Sequence, residues 1–229
     1  LEKGITKVVH VSTIAIWDKC PRDTTLNEET PVIAPQATEY ARTKYSGDLV
    51  AWDLHSKNGL PLVVIYPGGV LGNGDNKFQG LSISKHVNRQ MPLTAFGDSL
   101  FGWVHVRDVA DAILRAAEKP DNIGQKYILA GENWTIGELL GTACQIASVD
   151  MPRLNMPTFF MMATAGLLTM MANLTKRPPL WGMSLDAARW SGCRLSTDGS
   201  KAQRELGLAY TPVRTALEEA VPEYLAKPC

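Results

Sequence analysis

Lys7-Val-Val-His-Val-Ser-Thr13, an apolar run ending in two hydroxyls, is followed 27 residues past Thr13 by Tyr40-Ala-Arg-Thr-Lys44. Next comes Leu60-Pro-Leu-Val-Val-Ile-Tyr66, which runs directly into Pro67-Gly-Gly-Val-Leu-Gly-Asn-Gly-Asp75. The two apolar runs read as buried strands. The stretch between them, Tyr40 to Asn58, reads as one long helix closed by Gly59 with Pro61 just beyond. Strand, loop, helix, strand and glycine-rich loop form a βαβ unit whose functional loops gather on one edge of a parallel sheet. Leu49, Val50, Trp52 and Leu54 are the apolar positions expected to pack this helix, and Lys57 suits the negative end of its dipole.

Residues four apart on a helix share a face, so the Tyr40 phenol and the Lys44 ammonium are expected to point into one cleft. A nearby cation favours phenolate and lowers a tyrosine pKa from its reference of about 10 toward the range that a general acid or base needs. A hydroxyl at the end of the preceding strand, Thr13 or Ser12, would hold a carbonyl or alcohol oxygen against that phenol. These groups together point to carbonyl reduction or alcohol oxidation. The Tyr-Lys spacing alone is a weak signal, because an ordinary surface helix with a solvated lysine produces it too; the flanking strands supply the context.

With these runs in hand, the chain resembles the extended short-chain dehydrogenase/reductases, also called the NAD-dependent epimerase/dehydratase family, and within it the dihydroflavonol-reductase-like branch. The resemblance runs nearly end to end through His10-Val-Ser-Thr-Ile-Ala15, Tyr40 to Lys44, Pro67 to Gly72, Trp103-Val-His-Val-Arg-Asp-Val-Ala110, Tyr127-Ile-Leu-Ala-Gly-Glu-Asn133 and Lys201-Ala-Gln-Arg-Glu-Leu-Gly207. It implies an α/β fold. Residues 1–66 and 103–130 would form the C-terminal half of a Rossmann-type doubly wound parallel sheet, and 67–102 with 131–229 a smaller mixed α/β substrate-binding region. By the same resemblance Tyr40 is the catalytic acid/base, Lys44 orients the nicotinamide ribose and tunes the phenol, and Thr13, ahead of Ser12, fills the catalytic Ser/Thr position. Pro67, Gly68, Gly69 and Val70 would pass the nicotinamide ring, with glycines letting backbone amides approach closely. The cofactor implied is NAD or NADP. Tyr66 stands where many members carry Arg.

Enzymes of this kind open with a strand and a Gly-x-x-Gly-x-x-Gly turn that seats the pyrophosphate on a helix N-terminus. The sequence contains no such turn; Gly69-Val-Leu-Gly72-Asn-Gly-Asp75 fails at the third glycine and follows the wrong strand. The expectation is a fragment lacking roughly the first 110 to 120 residues of a complete member, inactive as it stands and with an exposed sheet edge that is an aggregation hazard.

Composition excludes several classes. Basic and acidic residues balance at 23 each, so no nucleic-acid groove is indicated. Cys20, Cys144, Cys193 and Cys229 lack Cys-x-x-Cys spacing, and His10, His55, His86 and His105 lack metal-ligand spacing; no metal site is expected. The cysteines read as free thiols of a reducing, cytoplasmic compartment.

Beyond the first unit, residues 20–35 read as a proline-punctuated loop walling one side of the cleft. Asp108 is placed to cap or charge-stabilise a helix start, His105 to hold its loop by hydrogen bonds, and Asp98 and Phe101 to line the pocket. Thr135 with Glu138 three later matches a capping box, predicting a helix to about Ala147. Thr158 to Ala172 is the most apolar stretch, yet at about 15 residues it falls short of the roughly 20 needed to cross a bilayer. It is expected as a buried or pocket-lining helix of a substrate lid, with peripheral membrane contact through 158–172 or a subunit interface as alternatives. The methionine-rich surface suits a lipid-like or polycyclic substrate. The expected partners are thus a small apolar molecule and, as an option, a second copy in a homodimer. Two rivals share the fold. One is a nucleotide-sugar epimerase or dehydratase, for which Arg153, Arg177 and Arg189 could hold a diphosphate. The other is a non-catalytic relative acting as an interaction protein.

Overall fold

The computed structural model describes residues 4–19, 21, 24–156, 158–177 and 184–226. In chain order, β1 (Val8–Val11) leads through a 3-10 turn (Ile14–Trp17) and the short β2 (Thr25–Leu26) to α1 (Glu39–Asn58), β3 (Leu62–Pro67), β4 (Gly69–Leu71) and α2 (Phe78–Val87). Then follow β5 (Leu93–Ala95), β6 (Leu100–His105), α3 (Val106–Glu118), β7 (Lys126–Leu129), β8 (Glu132–Thr135) and α4 (Ile136–Ile146). The last elements are β9 (Leu154–Met156), α5 (Thr158–Thr175), α6 (Leu185–Ser191), β10 (Arg194–Thr197), α7 (Ser200–Leu206) and α8 (Val213–Ala226).

The sheet that carries the first unit is parallel, in the order β1-β3-β7, with Val8 opposite Leu62 and Val64 opposite Lys126. β3 is buried along its whole length, and its side chains alternate between two cores, as the period of two in a strand requires. Leu62, Val64 and Tyr66 join the core that contains Trp17 and Trp103, while Val63 and Ile65 join the one that contains Ala112, Tyr127 and Leu206. Both faces are covered, which is why Leu-Val-Val-Ile is unbroken apolar sequence. Fully burying each of these side chains is worth about 1.5–3 kcal/mol. A second sheet, in the order β2-β10-β6-β4, is parallel throughout, and β8 adds to β6 antiparallel. This is an α/β architecture of parallel sheets with Rossmann-like organisation. Among the described residues, β1 has a strand neighbour on one side only.

Local signals were followed closely. Thr38 caps α1 by accepting from the Ala41 amide, and Gly59, at φ 67°, closes it with its own amide returned to the His55 and Leu54 carbonyls. The Thr135–Glu138 capping box is present with both hydrogen bonds, and α4 ends one residue before Ala147. Gly207, at φ 65°, ends α7. The described residues of the 20–35 loop are irregular except for β2; Cys20 and Cys229 lie outside the described residues, while Cys144 and Cys193 are free thiols. Burial pushes the Cys193 thiol up to about 12, with Asp18 adding to the effect, which disfavours the thiolate.

Three expectations require correction. Leu49, Val50 and Leu54 do not pack α1; all three are exposed. The inward row is Ala41, Tyr45, Asp48 and Trp52, spaced by four, three and four, because the helix meets the 3-10 turn and β3 on that side. Phe101 does not line a pocket, being buried edge-on against Trp103. α5 is not a buried helix: among its large side chains only Met161 is buried, and Phe159, Leu167, Met170 and Leu174 face outward. A helix apolar on all sides gives the pattern no polar face by which to set its rotation.

Glu28 joins the loop to the sheet. Its carboxylate accepts from the Ile128 amide at 2.8 Å on β7, and burial raises its pKa above the ordinary value against the smaller lowering by that amide and by Lys201. A carboxyl whose folded pKa is raised stabilises most when protonated, below its unfolded value, and loses that contribution as pH rises through the folded value. Glu28→Gln keeps an acceptor for Ile128 without the desolvated charge. We expect it to melt above wild type at pH 7.5, with the gap closing toward pH 4 in paired thermal scans; a gap independent of pH would show that the charge is not the cause.

Candidate active site

Thr13 stands at the C-terminal end of β1, where its side chain caps the 3-10 turn by accepting from the Ala15 amide at 3.2 Å. That bond fixes the hydroxyl oxygen and leaves its hydrogen free to be donated; among the described residues no acceptor takes it. Ser12 has a different fate. It is buried and donates to Asp48 Oδ2 at 2.9 Å, which removes it from any cleft and leaves Thr13 as the available hydroxyl.

α1 packs against the turn that Thr13 begins. Tyr40 lies in its first turn, 54% exposed, and Lys44 follows one turn later, half-buried. The other cations of α1 are engaged: Arg42 with Glu39 at 2.6 Å and Lys57 with Asp53 at 2.7 Å. Lys44 has no carboxylate partner among the described residues. The start of the helix is itself tethered, since the Asp18 carboxylate accepts from the Ala37 and Thr38 amides and from the Thr38 hydroxyl.

Asp48, four residues past Lys44, carries this side of the helix into the core. It is 2% exposed; Oδ1 meets His10 Nε2 at 2.9 Å and Oδ2 accepts from Ser12. A carboxylate this deep is tolerated only when its oxygens are bonded, so β1 and α1 are clamped through one side chain. Tyr66 lies beneath, packed edge-on against Trp17 at 5.1 Å, and its pKa is raised chiefly by burial and then by the charge of Asp48. Tyr66 therefore builds core.

Pro67 ends β3, Gly68 follows, and Gly69 and Val70 open β4. The glycines have a reason within the fold. A Cβ on Gly68 would collide with the Gly102 carbonyl oxygen, and one on Gly69 with the Trp103 ring. The Gly68 amide is also spent on the Leu129 carbonyl at 2.9 Å. A nicotinamide nucleotide would meet at 68–70 a partly exposed backbone surface rather than a free Gly68 donor.

His105 is structural. Its Nδ1 accepts from the Arg107 amide at 3.0 Å to cap α3, and its Nε2 lies 3.3 Å from Glu219 without hydrogen-bond alignment. Asp108 sits in the first turn of α3, and its carboxylate accepts from the Thr211 amide and hydroxyl, pinning the C-terminal segment. Sequence reasoning missed Asp48 and Asp18. The signal for Asp48 was its place at i+4 from Lys44 and i+8 from Tyr40; Asp18 gave none, being 19 and 20 residues from its partners.

Asp48→Ala should cost about 2–3 kcal/mol in urea unfolding, because it strands the buried Ser12 hydroxyl and the His10 ring, whereas Ser12→Ala should cost about 1 kcal/mol. Equal losses would show that Asp48 is not the centre of the clamp.

The sequence profile of the NAD dependent epimerase/dehydratase family matches residues 1–137. The sterol demethylase protein B of Methylococcus capsulatus is 29% identical over 224 residues, covering 95% of this chain and 66% of that protein. A provisionally named dihydroflavonol 4-reductase of Synechocystis sp. is 27% identical over 187 residues, covering 80% of this chain and 53% of its own length. The crystal structure of gox2253 superposes with a TM-score of 0.80 at 26% identity, covering 98% of this chain and 68% of that one. The chain thus spans between half and two thirds of the length of these curated relatives.

Proposed function

The chain belongs to the NAD dependent epimerase/dehydratase family, and from that premise we propose that it is the catalytic half of an NAD- or NADP-dependent oxidoreductase interconverting a carbonyl and a secondary alcohol on an apolar substrate. The observation that carries this reading is the unspent chemistry around the head of α1: a fixed Thr13 hydroxyl, an exposed Tyr40 phenol and an unpaired Lys44 ammonium. Residues 1–66 and 103–130 belong to the dinucleotide side in this proposal, and 67–102 with 131–229 to the substrate side.

Tyr40 and Lys44 would hold the nicotinamide nucleotide along α1, with the backbone of Pro67, Gly68, Gly69 and Val70 as a wall. When bound, the nicotinamide supplies or accepts the hydride. Thr13 donates its hydroxyl hydrogen, which its bond from Ala15 leaves free, to the substrate oxygen. Tyr40 gives its phenolic proton to the same oxygen in reduction and takes it back in oxidation. Lys44 sets a positive charge beside the phenol at which that proton is exchanged, and Asp48 holds the helix still while it does so.

An apolar, polycyclic substrate is supported by the name of the Methylococcus relative, a sterol demethylase protein. The same reading pairs two copies of the chain, and Leu49, Val50 and Leu54 form an apolar face on α1 open to a second copy. The family name also covers epimerases and dehydratases; a nucleotide-sugar substrate would draw on Arg153 and Arg177, both exposed.

The test is made in a polypeptide that carries both this chain and a glycine-rich dinucleotide turn. NADH and NADPH are titrated by nicotinamide fluorescence, and apolar ketones are compared with sugar nucleotides as substrates. Tyr40→Phe should lower kcat about 1000-fold and leave the cofactor titration within about threefold of wild type. A Tyr40→Phe enzyme that keeps most of its rate would overturn the mechanism, and turnover of sugar nucleotides alone would move the assignment to the epimerases.

A further inference from the structure

α5 presents to its surroundings a face without a polar break. Phe159, Leu167, Met170 and Leu174 are all exposed, the first and last 76% so, and with Ala163 they follow one another at spacings of three or four, forming a single stripe. The stripe is about 22 Å long at 1.5 Å per residue. Lone exposed apolar residues are ordinary, but a contiguous stripe is a docking surface or a liability. The opposite side of the helix is already used, with Met161 and Ala165 buried and the Thr169 hydroxyl accepting from the Leu185 amide that starts α6. α5 is therefore held to the body of the protein by one face and leaves the other uncovered.

The charges around the stripe identify its partner. In a chain whose acidic and basic residues balance overall, residues 151–185 contain no Asp or Glu, and their charged residues are Arg153, Lys176 and Arg177. Lys176 and Arg177 are exposed immediately past the helix end, and neither has a carboxylate partner among the described residues. Seven of the chain's eight methionines also fall in this stretch, giving the apolar face soft side chains rather than a shaped knob. No described helix is long and apolar enough to cross a membrane. An apolar helical face of this length, an aromatic residue at one end, cations at the other and acids excluded is the chemistry of a helix lying in the headgroup layer.

We propose that α5 docks the protein on an anionic phospholipid surface, the apolar stripe entering the acyl boundary and Lys176 and Arg177 meeting the headgroups. A second copy of the chain would be served by the apolar stripe but would gain nothing from the excluded acids, and two like-charged ends would repel. The docking stands on this patch alone and does not depend on the reaction assigned to Tyr40.

The experiment is vesicle flotation of the purified protein with phosphatidylcholine alone and with phosphatidylcholine mixed with phosphatidylglycerol. Binding should favour the mixed vesicles and weaken at high salt. Phe159→Ser with Leu174→Ser should reduce it about tenfold or more, while leaving Tm and far-ultraviolet circular dichroism unchanged, because both side chains are exposed. Lys176→Gln with Arg177→Gln should remove the preference for the anionic lipid. Absence of binding to either vesicle, binding indifferent to the serine substitutions, or a self-association in solution that those substitutions abolish would each overturn the proposal. Tyr40→Phe should bind vesicles as wild type does, so failure of the catalytic reading and failure of this one are told apart.

Discussion

The buried carboxylate of Asp48 is the constraint around which the β1–α1 side of the molecule, with the candidate site, is arranged. With 2% exposure it has little water to answer it, and the desolvation penalty is offset only because His10 and Ser12 reach it from the neighbouring strand. Both partners lie on or beside β1 and the carboxylate lies on α1, so satisfying one charge fixes a strand against a helix. Helical geometry does the rest. Lys44 and Tyr40 lie one and two turns back from a point that cannot move, and the head of the helix is held separately by Asp18 through Thr38. The helix that carries Tyr40 is thereby anchored at two points.

The second element of the arrangement is the close approach of two sheets just past β3. Gly68 touches the Gly102 backbone, and Gly69 accepts the face of Trp103 where any side chain would collide. β4 can then leave β3 and pair with β6 within a few residues. Thr13 follows the C-terminal end of β1 and Pro67 ends β3, its parallel neighbour, so both lie on the edge of the sheet where α/β folds place their ligands. The position of the site is thus a consequence of strand direction, and the identity of its groups a consequence of which residues the clamp and the cap leave unspent.

Much of this was readable from sequence where the physics is local. Gly59, Gly207 and the Thr135–Glu138 pair ended or began helices as their chemistry demands. The unbroken Leu62–Ile65 run announced a strand covered on both faces. What failed was the sidedness of helices with more apolar residues than they bury. Leu49, Val50 and Leu54 were read as packing residues, yet the inward row is set by Asp48, an acid that a hydrophobic pattern counts as outward. Asp18 was invisible because its partners stand across a proline-rich loop, where no periodicity connects them. The glycines at 68 and 69 also meet a requirement that no local pattern shows, since a Cβ at either would collide with Gly102 or Trp103.

α1 and α5 show how exposed apolar side chains can arise for opposite reasons. In α1 the polar residue faces in, because the strand supplies partners for it, and surplus apolar side chains are left outside. In α5 no polar residue of that kind exists, and the helix is held by Met161 and Ala165 in the core, by Met162 packed against it, and by packing on α6, where the Thr169 hydroxyl accepts from the Leu185 amide. Nothing in such a helix penalises exposure of the remaining face except water, and a lipid surface removes that penalty. The exclusion of acids from 151–185 would contribute nothing to a helix destined for the protein core, where flanking charge is free to be of either sign. It matters only against a partner that is itself negative and extended, which is why the charge pattern, more than the hydrophobicity, assigns this face to an anionic bilayer.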